Sequence, residues 1–245
     1  MLFIKTIKAE KIKLRHSLVW IAFILLPIIP AIMGTFNYLQ NKDILTDGWY
    51  SLWTQHTLFS CYFFLPVTVG VYCSYLYRLE HVNHNWYRVM TLPVPPIYSY
   101  LSKLIIVSSM VVLTQIWIGI LFILSGKLCG LTESIPKELI EWLLYGVLGG
   151  TVICAIQLCI SLVIRSFALP VGIALIGGIG SIPAFSAGYG VMYPYALLGL
   201  GMRANAPGGP IQCSIPMYFQ NSMIYVGICV VFAYVWMKRK DVFAG

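Results

Sequence analysis

Glu80, His81 and His84 come nearest, by type and spacing, to a constellation that could do chemistry, because residues four apart share a helix face. The pattern goes no further. There is no H-E-x-x-H, and no carboxylate from a third helix is at hand to complete a metal shell, so neither a metal set nor a catalytic set is assigned. Nucleotide hydrolysis is excluded on the same kind of ground. The chain has no G-x-x-x-x-G-K-[ST], and the cluster Gly172, Gly177, Gly178 and Gly180 lies in an apolar run with no lysine after it. Those glycines, like Gly146 and Gly150, suit close packing of helices.

Glu80, His81 and His84 belong to a polar interlude, Arg78 to Lys103, that also holds Asn83, Asn85, Trp86, Tyr87, Arg88 and Met90 and leaves through Pro93, Pro95 and Pro96. Apolar runs lie on both sides. Hydrophobic residues make up 59% of the 245 and charged residues 10%, where a soluble domain carries roughly a quarter charged, so the chain reads as an integral membrane protein. About 20 apolar residues cross a bilayer as a helix. Six segments qualify, at about 18–36, 58–77, 104–124, 143–164, 167–190 and 216–237. Pro27, Pro30, Pro66 and Pro183 predict kinks within them. The expected architecture is all-α, a single transmembrane domain over residues 1–245. No Asp, Glu, Lys or Arg occupies the middle of a span. Ion-coupled transport and proton relay need such groups at membrane depth, so energy for any transport is expected from outside the chain. Gln115 and Gln157 read as helix-joining hydrogen-bonders.

Residues 1–16 alternate lysines with Phe3, Ile4, Ile7, Ile12 and Leu14, which predicts an amphipathic elbow helix lying in the membrane interface. A secretory signal fits less well, since the apolar run that follows is too long and no small-residue cleavage site ends it. With six spans and an inward N-terminus, twelve Lys and Arg fall on the inner side. Only Lys42, Lys127, Lys137 and Arg203 fall outside, which predicts cytoplasmic termini. That topology accounts for the net charge of +8 without nucleic acid. Most of the seven cysteines lie in apolar runs and read as buried hydrophobes, while Cys129 and Cys213 fall in outer loops where pairing is left open. The outer segment Val191–Ile215 is too apolar for a solvated loop. It predicts a short re-entrant or interfacial helix around Tyr195–Met202, with an extension of the fifth span as the alternative.

Three local patterns resemble the permease subunits of ATP-binding-cassette type-2 exporters, in the lantibiotic-immunity and bacitracin-resistance branch. They are Ala9 to Arg15, like that family's elbow; Glu80, Trp86, Leu92-Pro93, Tyr98 or Tyr100 and Lys103, like its loop after the second span; and Arg239-Lys240-Asp241 after the sixth. The pair His81 and His84 with Asn83 and Asn85 is more polar than that family's pattern. The resemblance implies a bacterial plasma-membrane protein that exports antimicrobial peptides and carries no cofactor itself. ATP and Mg would sit in a separate ATPase subunit, present in two copies. It further implies a second, related permease chain, an amphipathic peptide substrate and contact with membrane lipid. Within that reading Glu80, His81, His84, Trp86, Tyr87, Arg88 and Met90 form a cytoplasmic coupling helix ending before Pro93, which docks the ATPase. Tyr193, Tyr195, Leu198, Met202 and Arg203 face the peptide from the outer loop. Other readings are the same machine with a lipid or small-drug cargo, and a membrane sensor or assembly partner without transport. An intramembrane enzyme lacks its constellation.

Overall fold

The computed structural model describes residues 2–82 and 94–242, with side chains through Arg239. Among them the fold is helical without strands: α1 (Leu2–Leu14), α2 (Val19–Gln40), α3 (Gly48–Phe59), α4 (Leu65–His81), α5 (Ile97–Leu128), α6 (Leu139–Val163), α7 (Ala168–Ser186), α8 (Ala196–Gly201) and α9 (Ile215–Val242). Six described helical runs are long and apolar enough to cross a membrane, the number expected. α2, α5, α6, α7 and α9 each supply one. The sixth is the joined run Gly48–His81.

That joined run starts ten residues before the span read from hydropathy. The stretch Gly48–Thr57 is half polar, yet its polar groups find partners inside the bundle. Thr35 Oγ1 lies 2.9 Å from His56 Nε2, Asn37 Nδ2 donates to Gln55 Oε1 at 2.6 Å, and Thr57 Oγ1 donates to the Trp53 carbonyl at 2.7 Å. Satisfied in this way, they cost little to bury. Gly34 makes this pairing of α2 with α3 close enough, since a Cβ there would stand 2.8 Å from the backbone of His56. Between α3 and α4 the helix loosens into a π turn, Ser60–Phe64. Pro66, at the first turn of α4, has no N–H to continue an ordinary ladder, and the Leu65 N–H bonds back to the Ser60 carbonyl. α2 and α7 run on through Pro27, Pro30 and Pro183.

The joined α3–α4 run and α6 are the most buried of the spans, while α2, α7 and α9 are the least. The outer helices present Ile21, Leu25 and Phe36, then Leu169 and Ile176, then Met223 and Val231 as an exposed apolar belt. A belt of that extent belongs against lipid. α5 has 32 residues, about 48 Å at 1.5 Å per residue, so it outruns a hydrocarbon core of about 30 Å. All seven cysteines are free.

Candidate functional site

The last turn of α4 is a junction. Glu80 lies there with its carboxylate turned into the bundle, 2% exposed. Glu10 and Lys13 sit three apart on α1 and so share a face, while Ser99 and Lys103 are four apart at the start of α5. These three helix ends bring four charges together. Lys13 Nζ lies 2.7 Å from Glu10 Oε1 and 2.8 Å from Glu80 Oε1. Lys103 Nζ lies 2.9 Å from the same Glu10 oxygen, bonds the same Glu80 oxygen, and donates to Ser99 Oγ at 3.0 Å. Two carboxylates and two ammoniums make the cluster neutral, which is what allows it to be buried. Lys103 is wholly enclosed and rests 5.2 Å from the centroid of the Tyr77 ring. Burial pulls the Lys13 ammonium down, but the carboxylates of Glu80 and Glu10 outweigh it and hold its pKa above 10.5. The stability that comes with this raised pKa is fully present below 10.5 and lost only as pH rises through the raised value.

The same turn reaches two more helices. His81 Nε2 is 3.0 Å from the Ser161 carbonyl near the end of α6. The Arg78 guanidinium lies 5.7 Å from the Phe167 ring, the residue that precedes α7. One helical turn, Tyr77–His81, therefore touches α1, α5, α6 and the entry to α7, and the chain passes from it directly toward residues 83–93. Pro95 and Pro96 start α5 on the far side, where the Tyr98 ring packs 5.1 Å from that of Phe3 on α1. An opening of about 330 Å³ lies against this junction, with Lys5, Glu10, Lys13, Glu80 and Pro95 among its walls.

Of the residues read as a coupling helix, Glu80 and His81 close α4, and both turn into the bundle. In the coupling-helix reading Glu80 docks the ATPase; in this structure its carboxylate is shared by two lysines and holds helices together. His84, Trp86, Tyr87, Arg88 and Met90 lie outside the described residues. In the sequence Glu10, Lys13 and Lys103 stand out only as elbow, topology and family-pattern residues, not as a cluster. The usable signal was a lone glutamate in a lysine-rich helix and a lone lysine opening an apolar span.

At the opposite end, the segment between α7 and α9 folds into a 3-10 turn, Gly190–Met192, and the short helix α8. α8 is inserted among the spans. Tyr195 accepts a hydrogen bond from Gln157 Nε2 at 2.7 Å, Tyr218 donates to the Leu197 carbonyl at 3.1 Å, and Trp53 Nε1 donates to the Met202 carbonyl at 2.8 Å. Trp53 in turn stacks on Trp142, with centroids 4.9 Å apart. A Cβ on Gly149 of α6 would meet the backbone of Leu198 at 2.6 Å, so only glycine admits α8 at this distance. Tyr195, Leu198 and Met202 are buried, which corrects the expectation that they face a cargo; their apolar character serves packing. Tyr193 is half-buried and donates to the Gly177 carbonyl at 3.0 Å. Arg203 pairs with Glu141 at 2.5 Å. Beside them is a cleft of about 740 Å³ whose walls include Asp47, Tyr50 and Glu133.

The family model for an ABC-2 family transporter protein matches residues 6–181, more than half of the chain, from within α1 through α2–α6 and into α7. No curated protein matches the chain. The family implies an ATP-binding-cassette ATPase as the permease's partner. A six-span helical bundle, a junction of helix ends beside residues 83–93 and the extent of this match converge: the chain belongs to the ABC-2 family of transporter proteins, as a multi-pass membrane permease.

Proposed function

We propose that the chain is the permease subunit of an exporter that removes cationic, amphipathic antimicrobial peptides from a bacterial plasma membrane, in the manner of lantibiotic immunity. A separate ATPase, in two copies, grips residues 83–93 from the cytoplasm, and a second permease chain completes the pore. The observation that carries this reading is the junction at Glu80. Any push on the connection after α4 is delivered through one turn to α1, α5, α6 and the entry to α7, because buried ion pairs and packed rings leave little slack between them. Closure of the ATPase would thereby rock the bundle as a body.

The cargo assignment is supported at the other end. Asp47 and Glu133 on the wall of the 740 Å³ cleft attract cations, and Ile44, Leu45 and Tyr50 beside them supply apolar surface. A peptide that is both basic and amphipathic meets both. The complex purified with its ATPase is expected to hydrolyse ATP faster with a lantibiotic-type cationic peptide than with a neutral peptide of equal length or with lipid alone. Stimulation by lipid or a small drug, and none by the peptide, would replace this cargo with another; no stimulation by any of them would favour a sensor.

The distribution of Lys and Arg supports an orientation with α1 and residues 83–93 on the cytoplasmic side. Cysteines introduced at Asn85 and Asn205 test it in intact cells. An impermeant thiol reagent is expected to label the Asn205 site and spare the Asn85 site; the reverse pattern would invert the permease.

A further inference from the structure

Between α1, the start of α2 and the first half of α5 runs a cleft of about 850 Å³. Its floor is apolar: Ile105, Ile106, Met110 and Leu113 along α5, with Leu14 and Ile12 opposite. From Ile105 to Leu113 it follows α5 for about 12 Å, and Ser109 has no free hydroxyl to offer, since its Oγ donates to the Ile105 carbonyl at 2.8 Å. Its rim is basic. Lys8 and Lys11 on α1 and Arg15 in the turn just after it recur at three and four residues, which lines them along the rim, and His16 follows. All four are exposed, no acidic residue lines the cleft, and neither lysine nor Arg15 has an ion-pair partner among the described residues. This stripe is separate from the face that carries Glu10 and Lys13.

The cleft is fixed in shape. His16 takes a left-handed backbone, φ 61°, that turns the chain sharply from α1 into α2. Trp20 Nε1 donates to the Leu14 carbonyl at 2.9 Å and so holds its indole as a wall at the corner. An amphipathic helix lying loosely on a bilayer needs neither constraint.

We propose that this cleft is a binding site for one anionic phospholipid of the leaflet on the α1 side. An acyl chain lies along Ile105 to Leu113, and the phosphate is held by Lys8, Lys11 and Arg15. The charge complementarity is one-sided: an apolar trough joined to three unpaired cations matches a molecule with a hydrocarbon tail and a net negative head, whereas in a zwitterionic headgroup the ammonium offsets the phosphate and is repelled by the rim. By this means the lipid wedges α1 against α5, next to the Glu10–Lys103 pairs that tie the same two helices. The proposal rests on the chain spanning a membrane and is independent of the cargo.

The test is native mass spectrometry of the full chain in detergent, supplied with equal amounts of phosphatidylglycerol and phosphatidylcholine. Three basic side chains near an anionic headgroup are worth about a hundredfold in retention, so bound phosphatidylglycerol is expected to exceed phosphatidylcholine by about that factor. The triple variant Lys8→Gln/Lys11→Gln/Arg15→Gln, all at exposed positions, is expected to bring the two lipids near parity. Ser109→Trp, which fills the trough and leaves every charge, is expected to remove the bound lipid. Excess glycerol 3-phosphate is expected not to displace it. Parity in the unaltered chain, undiminished preference in the triple variant, retention in Ser109→Trp, or displacement by glycerol 3-phosphate (which would make this a free-phosphate site) would each overturn the proposal.

Discussion

Lys103→Met will lower the stability of the permease by about 3–5 kcal/mol, the range for removing one partner from a buried ion pair. For a chain of this size that corresponds to a fall of roughly 10 °C in the unfolding midpoint, read in detergent. The loss of attraction is the smaller part. With Lys103 gone, Glu10 and Glu80 keep only Lys13 between them, and Lys13 is the one member of the cluster with substantial exposure, 28% of its side chain. One negative charge is then uncompensated at a place that excludes water, and that desolvation dominates. The double variant Lys103→Met/Glu80→Leu removes one charge of each sign and leaves Glu10 with Lys13, so it is expected to recover most of the stability lost in the single variant. Lys238→Met, on the exposed side of α9, is the control and is expected to change nothing. A Lys103→Met chain with an unaltered midpoint would mean that the cluster does not hold α1, α4 and α5 together.

Hydropathy made the number of spans legible, because about 20 apolar residues with no mid-span charge has few other meanings. It located α3 poorly. Gln55 and His56 look like solvated residues until Asn37 and Thr35 of α2, remote in sequence, are known to face them, while Ser51, Thr54 and Thr57 bond mainly within their own helix. α8 was legible as a helix for the opposite reason: Leu197, Leu198 and Leu200 are too apolar for a loop. Its depth was not, since the close approach to Gly149 and the bond from Trp53 to the Met202 carbonyl are products of tertiary packing. The site divides in the same way. Glu80 stood out by position, but its role changed once Lys13 and Lys103 were seen to share its oxygen. An exposed glutamate and a buried, paired one look alike in a sequence.

In the proposed exporter the chain between α4 and α5 is where the ATPase delivers force, with the Glu80 junction as the relay into the bundle. Trp86 is the most informative single residue in that connection. In the coupling-helix reading of this connection it shares a face with Met90, four residues on, and a buried interfacial tryptophan commonly costs more than about 2 kcal/mol when truncated, roughly thirtyfold in affinity. The direct measurement is to purify the permease carrying Trp86→Ala from membranes and quantify the ATPase that comes with it, together with peptide-stimulated hydrolysis. The predicted result is a permease at its normal level in the membrane that has lost most of its ATPase, or that retains the ATPase without stimulation by peptide. A Trp86→Ala permease with a full complement of ATPase and undiminished stimulation would contradict the claim.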